Sequence, residues 1–218
     1  MNETVNDSLL AALKQADEAG QIALTRHLCE QVLRGRPDHG PTLIRHARCL
    51  GELALYGEAA RALDHAEGVV AKERLPIVFD RRGHLLELMG DYAGAEQQHL
   101  KAHDLDPGDA SHLILAAHVA FLRGDIARAV ELGCRATACP EGCLDEAWIN
   151  LGGYRLAERR YEEARQCYRR ALEFAPEDPT ALERLEDVEC VLRDRASSPL
   201  GVKSSRDSGP KPPYETPG

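Results

Sequence analysis

Long apolar runs are missing from this chain: nowhere in its 218 residues does it approach the roughly 18–20 uninterrupted apolar residues that a membrane-crossing helix needs. The opening stretch, Met1 to Asp7, is polar and slightly acidic where a secretory leader would be basic and then apolar. Aromatic residues make up only 5% of the chain against 43% hydrophobic residues in all. A core must therefore be filled by aliphatic side chains and alanine, which suits helices packed at close range. Basic residues are outnumbered, 27 against 36 acidic ones, for a formal net charge of −9. That balance argues against nonspecific binding to DNA or to an anionic membrane surface, both of which need a basic field. The lack of aromatics also removes the stacking platforms on which single-stranded nucleic acid is held.

Catalytic signatures are absent too. The sequence contains no glycine-rich phosphate loop, no nucleophile elbow and no HExxH, so the expectation is a protein that is not an enzyme and uses no cofactor. The seven cysteines are odd in number and scattered, which fits reduced thiols in the cytoplasm better than a secreted disulfide framework. Cys134, Cys139 and Cys143 gather around a CPEGC turn, and Cys167 follows on the next hairpin. Neither pair has the CxxC spacing of a zinc ribbon or finger, and free cysteines make good small core residues, so no metal site is expected there.

What is present is a period. From Trp148 the chain places Leu151, Gly152, Tyr161, Ala164, Tyr168, Ala171 and Pro176 at fixed offsets. From Phe79 the same offsets land on Arg82, Gly83, Tyr92, Ala95, His99, Ala102 and Pro107. Leu113, Leu43 and Leu9 open three further copies, giving units near 6–39, 40–73, 76–109, 110–143 and 145–178. Within each unit apolar residues recur three and four apart, the pattern of two amphipathic helices that face each other and the next unit. Ala164 and Ala171, like Ala95 and Ala102 or Ala59 and Ala66, fall on one helix face, where a small side chain lets two backbones approach. Gly90–Asp91 and Gly124–Asp125 supply a helix-ending glycine and a capping aspartate. Pro37, Pro107, Pro140 and Pro176 stop the second helices.

These motifs resemble the tetratricopeptide repeat family, most closely in AWINLGGYRLAERRYEEARQCYRRALEFAPED, and the resemblance covers residues 6 to 178. Thr25 in place of the small alanine and Ala71 in place of a closing proline mark the first two units as more degenerate. The implied fold is all-α, a right-handed α-solenoid of five antiparallel helix pairs. A repeat cannot bury its own outer face, so a capping helix is expected at 179–195, with an apolar stripe of Leu182, Leu185, Val188 and Leu192. Residues 1–5 are read as the N-terminal end, before the first unit, and 196–218 as a disordered tail, since that tail is rich in Ser, Gly, Pro and Lys.

The family resemblance implies a concave groove lined by the first helix of each unit, in which a partner's segment lies. The outward positions of those helices are Lys14, Arg45, Arg48, Arg81, His84, His118 and Asn150, with Glu52 and Glu87 toward the helix ends. The centre of the groove thus reads basic in an acidic protein, and an acidic protein or peptide segment is the ligand it would suit. The clamp by which some family members hold a terminal carboxylate is poorly matched: Leu10, Lys14, Arg45, Ile77 and Arg81 occupy its positions, and only Arg81 keeps the residue type. Arg82 stands at a position usually apolar or small, and its polar end is expected to escape from the core. His84, His99, His103, His112 and His118 are read as surface or packing residues. The expected function is a cytoplasmic protein–protein adaptor or scaffold, the alternative being a dedicated chaperone or regulatory subunit of a bacterial secretion, pilus or envelope assembly.

Overall fold

The periodic stretches fold into helices from near the start of the chain to residue 197. The computed structural model describes residues 2–197, and side chains from residue 7 onward. Its α-helices are α1 (Asn2–Glu18), α2 (Ile22–Gly35), α3 (Gly40–Glu52), α4 (Tyr56–Val69), α5 (Leu75–Leu88), α6 (Tyr92–Leu105), α7 (Ala110–Leu122), α8 (Ile126–Ala136), α9 (Leu144–Ala157), α10 (Tyr161–Phe174) and α11 (Pro179–Ser197), with one 3-10 turn at Lys72–Arg74. Among the described residues there is no strand, only an isolated bridge between Asp109 and Glu141, and no helix is long and apolar enough to cross a membrane. Two expected boundaries move. Residues 2–5, placed before the first unit, belong to α1, and Ala196 and Ser197 extend α11, whereas residues 198–218, expected to be disordered, lie outside the described residues.

Consecutive helices pair as antiparallel hairpins, and each second helix also touches the first helix of the next hairpin. The chain reverses at one repeated point, where Gly20, Ala54, Gly90, Gly124 and Arg159 all adopt the left-handed backbone conformation. Glycine reaches that conformation without steric cost, whereas Ala54 and Arg159 hold it against their own Cβ. Asp91 and Asp125 cap the helices that follow, accepting from the amides of Gly94 and Arg128 at 2.9 and 3.1 Å.

Close approach within a hairpin depends on glycine. A Cβ on Gly152 would stand 2.6 Å from the ring of Tyr168, and one on Gly83 would stand 2.6 Å from the ring of His99. Either distance is too short for a methyl group unless the two helices move apart.

First helices touch one another along the array, α3 with α5, α5 with α7 and α7 with α9, whereas the second helices make no comparable contact among the described residues. The array therefore curves with the first helices inside. Its apolar core is not continuous. One large cluster joins α7, α8, α9 and α10 through Leu113, Ala117, Leu132, Leu151, Tyr154 and Cys167, and a second joins α3, α4 and α5 through Leu43, Leu50, Leu63, Val78 and Leu85. Between them, where α5, α6 and α7 meet, the buried side chains include the polar residues Glu96, His99 and His112.

Candidate functional site: a polar cluster in the central groove

The interruption of the core has a pattern that becomes visible when equivalent positions of the repeats are compared. Asp80 stands where the other first helices carry Leu10, Ile44, Ile114 and Ile149. His99 takes the place of Cys29, Leu63, Gly133 and Tyr168, and His112 the place of Thr42, Val78, Ala147 and Ala181. Glu87 corresponds to Asp17, Gly51, Phe121 and Leu156. Asp80, His99 and His112 are thus polar substitutions at mostly apolar positions, and the fold brings them together with Glu87.

His99 is fully buried at 0% exposure. Its Nδ1 donates to Asp80 Oδ1 at 2.9 Å and its Nε2 to Glu87 Oε1 at 3.1 Å. Each ring nitrogen faces a carboxylate, so the arrangement is satisfied only when both carry hydrogen and the ring is an imidazolium. His112 Nδ1 donates to the other oxygen of Asp80 at 2.7 Å. Burial opposes the charged ring of His99, but the Asp80 and Glu87 carboxylates outweigh it and raise its pKa. His112 is raised in the same way by Asp80 against the effect of burial. Burial pulls the Glu87 carboxyl upward, but the nearby His84 ring and the hydrogen-bonded His99 prevail and hold it down to about 2. Asp80 is likewise depressed, its two imidazole partners overcoming burial.

Asp80, His99 and His112 form one wall of a cleft of about 530 Å³ on the concave side, lined also by Ile77, Arg81, His84, Asp109, Ser111 and Leu115. Arg81 is exposed there and makes no ion pair among the described residues. A second cleft, of about 380 Å³, lies between α7, α9 and α11 and is lined in part by His118, Phe121, Ile149, Asn150, Tyr154 and Arg184.

The groove residues expected from the sequence thus separate into three groups. Arg81 and His84 share the central cleft, and His118 and Asn150 share the second. Lys14 is exposed and lies 3.7 Å from Glu18. Arg45 and Arg48 are ion-paired within the chain. Asp17, reaching across from α1, accepts from Arg45 Nε at 2.5 Å and from the Arg48 guanidinium, and Glu52 holds Arg48 from the other side at 2.6 Å. Their side chains are only 30% and 20% exposed, so the basic charge expected at this point of the groove is offset internally.

Other expectations meet definite surroundings. Arg82 runs along the hairpin and ion-pairs with Asp64 and Glu67 of α4 at 2.9 and 2.8 Å, its polar end emerging at the surface. Burial pushes the Cys167 thiol up to about 11, and Cys134 lies 3.9 Å from Arg155. Among the described residues these thiols do not converge as a metal-ligating group.

The comparisons with known proteins agree with this architecture. The tetratricopeptide repeat model matches residues 145–178, and no curated protein matches the chain. Among solved structures, the C-terminal part of a repeat-containing protein from Cytophaga hutchinsonii aligns over 86% of this chain and 72% of its own, with a TM-score of 0.67 at 16% identity. A thermophilic TPR protein of Thermus thermophilus aligns over 85% of this chain and 99% of its own, with a TM-score of 0.60 at 20% identity. The first TPR domain of Spaghetti (RPAP3), bound to an HSP90 peptide, aligns over 56% of this chain and 95% of its own, with a TM-score of 0.51 at 25% identity. The likeness is thus to the tetratricopeptide-repeat fold, carried by the family model over the last hairpin and by the solved structures over most of the chain.

Proposed function

We propose that this chain is a protein–protein adaptor that holds a segment of another protein in its concave groove and catalyses no reaction itself. The observation that carries this reading is the central cleft, an accessible concavity that presents the unpaired Arg81 and the half-exposed His84 beside the apolar surfaces of Ile77 and Leu115. A mixed lining of this kind suits a peptide that contributes one acidic group and apolar neighbours. The HSP90 peptide bound to the TPR domain of Spaghetti is a precedent in the same fold for a short segment as ligand.

The preference for an acidic segment rests on Arg81 and His84 more than on the basic cluster the sequence suggests, since Asp17 already neutralises much of Arg45 and Arg48. His118 and Asn150 extend the surface along the groove toward α11, and Lys14 lies at its far end. A peptide-display selection on the intact protein tests the proposal. Acidic residues should be enriched among the selected peptides, and Arg81→Ala with His84→Ala should weaken their binding about 10- to 100-fold, as expected for loss of a charge-assisted hydrogen bond. Binding unaffected by the double substitution would place the ligand elsewhere.

A further inference from the structure

We propose that Asp106, Asp109 and His112 form a binding site for one divalent transition-metal ion at the joint between α6 and α7, with Asp80 orienting the histidine. One carboxylate oxygen from each aspartate and one ring nitrogen of His112 lie within 4.8 Å of one another, and no other such trio of His, Cys, Asp or Glu occurs among the described residues.

The second observation is the state of the imidazole. His112 is 5% exposed, and its Nδ1 donates to Asp80 at 2.7 Å. Its Nε2 is buried with no hydrogen-bond partner among the described residues. A buried ring nitrogen left unpartnered is costly unless something occupies its lone pair. A carboxylate on Nδ1 fixes the tautomer that offers Nε2 as a ligand, the arrangement by which metal-bound histidines are commonly oriented. Asp80 already engages Nδ1, and the unpartnered Nε2 is the nitrogen assigned to the two aspartates.

Folding of the joint does not require this combination. Asp109 caps α7 by accepting from the Ser111 amide at 2.8 Å, and Asp178 does the same for α11 by accepting from Ala181 at 2.7 Å. At that second joint the positions of Asp106 and His112 are held by Ala175 and Ala181. The cap alone therefore serves the turn, and Asp106, His112 and Asp80 are additions to it.

Two carboxylates and one imidazole suit a borderline cation such as Zn²⁺ or Mn²⁺, with water completing its coordination. Ca²⁺, which takes about six to eight oxygens, finds too few donors here. A bound ion would tie α6 to α7 and, through Asp80, to α5.

The test is calorimetric titration of the intact, chelator-stripped protein with Zn²⁺ and Mn²⁺, using Ca²⁺ as the contrast. The site predicts one saturable equivalent of Zn²⁺ or Mn²⁺, weakened at least tenfold in Asp106→Asn and about 10- to 100-fold in Asp80→Asn. Asp106 is exposed and caps α6 only through its backbone amide, which bonds to the Ala102 carbonyl, so its side-chain variant should keep the wild-type circular dichroism. Co²⁺ substitution should give a spectrum without thiolate charge-transfer bands. No saturable binding, or binding that persists unchanged in both variants, would overturn the site. Thiolate bands would overturn it as well, by assigning the ion to the cysteines.

Discussion

Replacing His99 by alanine probes the interruption of the core. The ring is fully buried and bridges Asp80 and Glu87. Removing one member of a buried ionic network costs about 3–5 kcal/mol, because the remaining charges lose their partner. The lower end of that range is expected, since Asp80 keeps His112 and Glu87 still lies 3.9 Å from His84. At about 2–4 °C per kcal/mol for a chain of this size, a loss near 3 kcal/mol lowers Tm by roughly 6–12 °C. The pH dependence follows from the raised pKa of His99. Its stabilisation is complete below the unfolded value of about 6.5 and is lost as pH rises through the higher folded value. In chelator-containing buffer, urea unfolding followed by circular dichroism should therefore separate wild type from His99→Ala more widely at pH 6 than at pH 9. A loss below about 1 kcal/mol, or an equal loss at both pH values, would refute a charged bridge.

Neighbouring glycines offer a contrast of sign. Gly152→Ala would put a methyl 2.6 Å from Tyr168, whereas nothing lies within 4 Å of a Cβ on Gly153. The first should destabilise by about 1–3 kcal/mol and the second should stabilise by roughly 0.5–1 kcal/mol, both read from thermal melts. Ala54→Gly relieves a left-handed alanine at φ 59 and should gain about 0.5–1 kcal/mol, the steric relief exceeding the added entropy of the unfolded chain. Asp17→Asn removes the carboxylate that holds Arg45 and Arg48. It should cost about 1–3 kcal/mol and make binding of acidic peptides tighter and more salt-dependent, as titration at two ionic strengths would show.

The architecture was legible because it is written locally and repeatedly. The glycine before Asp91 and Asp125, the small residues at Gly83 and Gly152 and the alanines spaced seven apart each report a contact within one hairpin or with the next. The state of the groove was less legible because it depends on contacts between repeats. Asp17 reaches Arg48 from 31 residues away, and no local pattern says whether an arginine on a helix face already has a partner. The histidines show the same limit. Taken one at a time, His99 and His112 look like ordinary surface or packing residues, whereas the structure buries both against Asp80. The signal that could have found them lies in the columns of the repeat: an aspartate where three other first helices carry isoleucine and a histidine where a tyrosine packs on glycine two units later. Asp106 and Asp109 were equally inconspicuous, because a carboxylate at a helix boundary already has a capping role to explain it.

The claim that the first helices form the binding surface is tested most directly by photo-crosslinking a display-selected peptide to the intact protein. A benzophenone amino acid is placed in turn at Ile77 and Leu115 in the central cleft, and at the exposed Arg61 and Glu131 on second helices. Adducts should form from Ile77 and Leu115 and not from Arg61 or Glu131. Adducts from the second helices, with none from the cleft, would contradict a concave binding groove.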